Sequence, residues 1–121
     1  MSRDRATPPG DIQPREFFCD WAPNAVASDP ERRKRLDGLD ARVQFDLAGE
    51  HGGTFHLRIH AGEVQGGVGP LESPDLVLST DVATWRELNA GAIKAPTAVM
   101  KGRLKFKGSM YLALRIHFII G

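Results

Sequence analysis

The sequence predicts an α+β fold: a five-stranded, mainly antiparallel sheet with helices covering one face. Three observations carry that prediction. Between residues 42 and 68, three short runs alternate apolar and polar residues and are joined by glycine-containing turns. Two further strand-like runs follow, D-L-V-L-S-T at residues 75–80 and M-K-G-R-L-K-F-K-G at residues 100–108. Helix signals fall before the first run, between the last two, and at the apolar end of the chain. Alternation with period two puts the apolar side chains of each strand on one face, so only that face needs a helical cover.

Residues 1–12 mix charge with Pro8, Pro9 and Gly10 and show no apolar periodicity. They are expected to be a flexible leader ahead of a single domain over residues 13–121. From Pro14 the pattern turns helical, since proline suits a first turn and Phe17, Phe18 and Trp21 cluster at helical spacing. Pro23 and Asn24 are expected to end that helix. Asp29 then caps a short helix that opens at Pro30 and runs to Gly38. Its cations Arg32, Arg33, Lys34 and Arg35 sit between Glu31 and Asp37 and read as a solvated face.

In the first strand Val43, Phe45 and Leu47 alternate with Arg42, Gln44 and Asp46; in the second, Phe55, Leu57 and Ile59 alternate with His56, Arg58 and His60. Residues 49–53 and Ala61-Gly62 supply the turns, and residues 64–68 return as a third strand, giving an antiparallel meander. Gly66 and Gly67 mark a bulge, or a place where a ligand or another element comes close. After the fourth strand, Asp81 is a cap for V-A-T-W-R-E-L-N-A, which Gly91 closes, with Val82, Trp85 and Leu88 as its apolar side. Pro96 opens another short helix. In residues 100–108, Lys101, Arg103, Lys105 and Lys107 alternate with Gly102, Leu104 and Phe106, which predicts a strand with one cationic and one apolar face. A terminal helix from Met110 is apolar almost all round.

With 121 residues, 16 Lys plus Arg and 15 Asp plus Glu, the chain can bury one core and is too evenly charged for a dedicated polyanion binder. No nucleic acid partner is expected, because the cationic strand face lacks the aromatics on which single strands stack. That face does suit transient contact with an anionic membrane surface. The single Cys19 excludes an intramolecular disulfide and fits a reducing compartment. No apolar run approaches the roughly 20 residues that span a bilayer. The first ten residues lack the apolar core of a secretory signal, and the Ile-Ile-Gly end is no peroxisomal tripeptide, so the expected location is cytoplasmic.

Catalytic and metal chemistry find no foothold. His56 and His60 share a strand face, but four strand residues span roughly 13 Å, too far for one metal with bonds of about 2 Å. Cys19, Ser73, Ser79 and Ser109 lack the context of an activated nucleophile. The run E-V-Q-G-G-V-G-P has neither a phosphate-loop Lys-Ser/Thr nor G-x-G-x-x-G spacing. The expectation is therefore no enzyme, no catalytic residue, no metal and no cofactor.

From about Ala41 onward the residues fall in a recognisable order. V-Q-F-D-L is followed by the strand before Ala61-Gly62, then D-L-V-L-S-T-D-V-A-T-W-R-E-L-N-A-G, then A-P-T-A-V-M-K-G-R-L-K-F-K-G-S-M and an apolar end. This order resembles the sterol carrier protein 2 lipid-binding family; the N-terminal helices match only in general character. The resemblance implies a hydrophobic tunnel between sheet and helices that binds, and transfers without catalysis, a fatty acyl, sterol or isoprenoid-type lipid. Carried over by position, its lining is Phe45, Phe55, Leu57, Leu104 and Phe106 from the sheet, with Trp85, Met100, Met110 and Leu114 from the helices. The alternative reading is an accessory or assembly module whose apolar terminal helix docks on a partner or forms a homodimer.

Overall fold

In a computed structural model, which describes residues 8–120 apart from the side chains of Leu114 and residues 117–120, the alternating runs form one five-stranded sheet in the order β3-β2-β1-β4-β5. The strands are β1 (Ala41–Ala48), β2 (Gly53–His60), β3 (Glu63–Val68), β4 (Leu76–Asp81) and β5 (Lys105–Gly108). β1, β2 and β3 form the antiparallel meander, β4 lies parallel to β1, and β5 pairs antiparallel with β4. The turn between β2 and β3 has positive φ at both Ala61 and Gly62, the two-residue geometry whose twist matches the flanking strands.

Register aligns the apolar side chains into rows. Val68, Phe55, Phe45, Leu78 and Phe106 lie side by side across all five strands. The adjacent row runs Gly66, Leu57, Val43, Leu76 and Gly108. Because β4 is parallel to β1, residues 69–75 must carry the chain from the outer strand β3 past β2 and β1. They do so over the polar face: His56 Nδ1 donates to the Gly69 carbonyl at 2.9 Å, and Leu71 N–H donates to Gln44 Oε1 at 3.0 Å. Asp75 ends the crossing, its N–H donating to the Arg42 carbonyl and its carboxylate accepting from the Arg42 N–H, both at 2.8 Å.

Six α-helices and one π-helical stretch accompany the sheet among the described residues. α1 (Pro14–Glu16), the π-helix (Phe17–Trp21) and α2 (Ala22–Ser28) follow one another without a break. The expected stop at Pro23 and Asn24 is therefore corrected. Proline has no N–H to give the carbonyl four residues back, and the wider π turn just before it, with Ala22 N–H bonded to the Phe17 carbonyl, lets the helix run on to Ser28. α3 (Pro30–Arg35) starts where expected, Asp29 accepting from the Glu31 N–H at 3.0 Å. Its cationic run is not wholly solvated: Arg32 is buried, its guanidinium 5.4 Å from the Trp21 ring centre. The expected leader also ends inside the fold, with Ile12 buried in the core and the Gly10 carbonyl accepting from Arg86 at 2.8 Å.

α4 (Val82–Ala90) is capped by Asp81, whose Oδ1 accepts from the Thr84 N–H, and closes at Gly91 with φ +74°. α5 (Ala95–Met100) follows, and α6 (Met110–Ile120) begins after Ser109, whose Oγ accepts from the Leu112 N–H at 3.3 Å. Residues 100–104 do not continue the last strand. They finish α5 and turn through Gly102 at φ +72°, so the alternation is a real strand only in β5. Lys105 and Lys107 do point to solvent, whereas Arg103 turns back to α4, donating through Nε to Thr84 Oγ1 at 3.2 Å and pairing with Glu87.

Candidate functional site

The interior between sheet and helices is aromatic at its centre. Phe17 and Phe18, consecutive in the π-helix, are both fully buried. Phe18 lies 4.5 Å from the Phe45 ring centre and 5.2 Å from that of Phe55, nearly parallel to the latter. Phe17 meets Trp85 edge-on at 5.2 Å and stacks on Trp21 at 5.3 Å. The N-terminal helix thus inserts two rings above β1 and β2, against the side of α4 that carries Trp85.

It approaches this closely because β3 offers no side chain there. A Cβ at Gly66 would collide with the Phe18 carbonyl, and one at Gly67 would stand 2.6 Å from His56 Nε2. The two glycines read from the sequence as a place of close approach are met by the π-helix on one face and a histidine ring on the other.

Of the residues expected to line a lipid chamber, Phe45, Phe55, Leu57, Trp85 and Leu104 are buried in a single cluster, and Phe106 packs half-buried against it. Met100 is 88% exposed and Met110 56% exposed. Helical geometry explains both positions. α5 reaches the core through Ala98, two residues before Met100, and α6 through Leu112 and Ile116, the first of them two residues after Met110. Two residues along a helix turn a side chain by about 200°, to the far side. The side chain of Leu114 lies outside the described residues.

Phe17, Phe18, Leu112 and Ile116 join the interior without having been placed there by the sequence. The spacing of Phe17 and Phe18 before a proline was visible, but the π turn that sets both rings inward was not. α6 is held down at its middle by Arg115, whose Nε donates to the Arg35 carbonyl at 3.0 Å at the end of α3. The guanidinium also lies 5.5 Å from the Tyr111 ring centre.

Polar atoms in this interior are few. Thr84 is fully buried, bonded to Asp81 and Arg103. Trp85 Nε1 and the amide of Asn89 are buried and have no hydrogen-bond partner among the described residues. Among the described residues no set of three His, Cys, Asp or Glu side chains could hold a metal ion, and no helix is long and apolar enough to cross a membrane. His60 lies 3.6 Å from Asp40 on the outer side, while His56 is tied to the crossing loop.

Comparison with known proteins agrees with this architecture. The sequence model of the SCP-2 sterol transfer family matches residues 23–121. The "Hydroxysteroid dehydrogenase-like protein 2" of Xenopus tropicalis is 40% identical over 81 residues, covering 64% of this chain and 19% of that protein. The chain therefore spans about a fifth of the length of that curated relative. Among solved structures, the apo form of sterol carrier protein 2 from Yarrowia lipolytica superposes with a TM-score of 0.61 at 22% identity, covering 88% of this chain and 82% of that one. A palmitated sterol carrier protein 2-like protein from Aedes aegypti gives 0.63 at 18% identity, covering 87% and 92%. These likenesses are of fold.

Proposed function

The chain belongs to the SCP-2 sterol transfer family, and from that premise we propose that it binds a long apolar lipid between its sheet and helices and carries it between membranes without catalysis. One observation supports this above the others: a four-strand apolar row, Phe55-Phe45-Leu78-Phe106, lies under a cover of separate short helices instead of a second sheet. Short helices held by side chains, as α6 is by Leu112, Ile116 and Arg115, can shift without breaking a hydrogen-bond ladder. Phe18 already fills the space over Phe45 and Phe55, so the lipid runs on the other side, over Leu78, Leu104 and Phe106. The ligand class is fatty acyl, sterol or isoprenoid; the Aedes aegypti protein of the same fold, solved in palmitated form, supports an acyl chain.

The energetics suit a carrier. Each buried methylene gains about 0.8 kcal/mol relative to water, and almost nothing relative to a bilayer from which the chain is already dry. A dry enclosure matching the membrane is enough for exchange, and strong polar contacts would only slow release. Docking through α6 is the weaker reading, because Leu112 and Ile116 spend its apolar side on this chain's own core. The lone Cys19 supports a reducing, cytoplasmic setting.

Native mass spectrometry with organic extraction, on protein purified without added lipid, tests the proposal. We expect a bound lipid that is lost in Leu104→Arg while circular dichroism shows the fold retained. Protein that carries no lipid and fails to bind a fluorescent fatty acid would sink the reading.

A further inference from the structure

The even overall charge hides an uneven distribution. The first 87 residues hold ten Lys and Arg against fifteen Asp and Glu, whereas residues 88–121 hold six Lys and Arg and no Asp or Glu. The fold gathers part of that charge at one edge of the sheet. β5 ends the sheet and pairs with β4 alone. Lys105 and Lys107 stand exposed on it, and Lys101 is exposed just ahead, at the end of α5. The carboxylates beside this edge are engaged: Asp75 accepts from the Arg42 N–H, Asp81 caps α4, and Glu87 pairs with Arg103. Among the described residues none of the three lysines has an ion-pair partner. Apolar side chains are exposed at the same edge. Of the five large apolar side chains exposed among the described residues, four flank β5: Val99 and Met100 end α5, and Met110 and Tyr111 begin α6. The strand between them spans only about 10 Å. Apolar residues set among unpaired cations are what a surface needs to seat in a layer of anionic lipid headgroups.

We propose that this edge docks on an anionic phospholipid bilayer, with Met100, Met110 and Tyr111 entering the headgroup layer and the three lysines reaching phosphates around them. The inference rests on the lipid-carrying reading above and names the face that meets the membrane. An edge-on approach uses both sides of β5. Its lysines leave from the polar side, while Phe106 points inward beside Leu104, to the wall over which the lipid is laid. Both helices that could lift, α5 and α6, carry their exposed apolar residues here, so either opening faces the bilayer. Long lysine stems let the charges reach phosphates while the methionines sit deeper. A second copy of this chain is a poorer occupant, because a two-fold contact through this edge sets lysines against lysines.

The test is flotation of the full chain with phosphatidylcholine vesicles, with and without phosphatidylserine. We expect binding only where phosphatidylserine is present, weakening as salt shortens the roughly 10 Å reach of these charges. Lys105→Gln/Lys107→Gln should weaken it by about 10- to 30-fold, at roughly fivefold per cation. Arg42→Gln/Arg58→Gln removes as much charge from exposed positions on strands that do not touch β5, and should weaken it by less than about 3-fold. Met100→Ser and Met110→Ser, which leave the core untouched, should each weaken it by about 3-fold or more. A fluorescent fatty acid, titrated without vesicles, should bind every variant as it binds the parent. Equal binding to neutral vesicles, equal weakening by the two charge pairs, or methionine variants that float like the parent would each overturn the inference. So would a dimer in sedimentation that Met100→Ser breaks up, since the edge would then be covered by a second copy. A parent that ignores anionic vesicles yet binds the fatty acid loses this docking face and keeps the carrier reading. One that binds no fatty acid loses the carrier reading itself, whatever the vesicles show.

Discussion

The backbone carbonyl of Phe18 occupies the place where Gly66 would carry a side chain. This one vacancy in β3 sets how deep the N-terminal helix sits, and so how far the Phe18 ring reaches over Phe45 and Phe55. Gly66→Ala must push the helix outward or distort the strand. We expect a loss of about 1–3 kcal/mol in urea unfolding, the usual cost of overpacking. Gly62→Ala should also destabilise, through its positive φ, but without disturbing the Phe18 ring. Near-ultraviolet circular dichroism should change only for the first.

The β meander was legible because its alternation is long and its turn at Ala61-Gly62 has a demanding geometry that few dipeptides satisfy. The caps at Asp29 and Asp81 were legible for the same reason, a short polar side chain answering a free N–H. Other features were hidden by patterns that two structures share. Lys101, Gly102, Arg103 and Leu104 alternate like a strand, yet the chain there finishes a helix and turns, and Gly102 and Arg103 carry that decision. Pro23 reads as a stop under α-helical bonding and as permissible under π-helical bonding, which leaves no mark in the sequence. Arg32 looks like its cationic neighbours in the sequence, yet it is buried, packs on Trp21 and lies 3.9 Å from Asp29. For the site, period two named the sheet wall correctly as an apolar face, while Met100 and Met110 were carried over by position from the family resemblance into helices whose inward residues are Ala98, Leu112 and Ile116.

That distinction is testable. Met100→Ser and Met110→Ser alter side chains that are largely in water and should each change stability by no more than about 0.5 kcal/mol. Leu104→Ala and Leu112→Ala remove buried side chains and should cost about 2–5 kcal/mol. Thermal melts of the four variants decide it. A loss in the methionine variants as large as in the leucine variants would mean that α5 and α6 sit differently in solution.

Asp81 holds α4 at the correct height for Trp85 by accepting from the N–H and the hydroxyl of Thr84, which in turn accepts from Arg103. Asp81→Ala removes a helix cap and should cost about 1 kcal/mol, up to about 2 kcal/mol since it also strips a partner from buried Thr84. Arg103→Met should cost less than Asp81→Ala, since the Glu87 pair is one-third or more exposed on each side and such pairs are worth about 1 kcal/mol or less. Trp85 fluorescence, measured in a Trp21→Phe background, should shift to the red in Asp81→Ala, reporting water at the loosened helix. An unchanged spectrum would show that α4 is positioned by its apolar side alone.

Arg115 joins the middle of α6 to the last carbonyl of α3, where the partial negative charge of a helix end favours a cation. The contact is at the surface, so Arg115→Met should lower global stability by only about 1 kcal/mol. Its larger effect is expected on exchange. If α6 is the cover that must lift for a lipid to pass, removing its tether raises the population of the lifted state and leaves the apolar walls unaltered. Release of a fluorescent fatty acid to acceptor vesicles should then quicken several-fold in Arg115→Met, with equilibrium affinity changed much less, because entry and exit share the same opening. Tyr111→Leu, which removes the ring beside the same guanidinium, should give a smaller acceleration in the same direction. Equal transfer rates in the parent protein and both variants would place the opening elsewhere, with α5, which meets the core through the small side chains of Ala95 and Ala98, next in line.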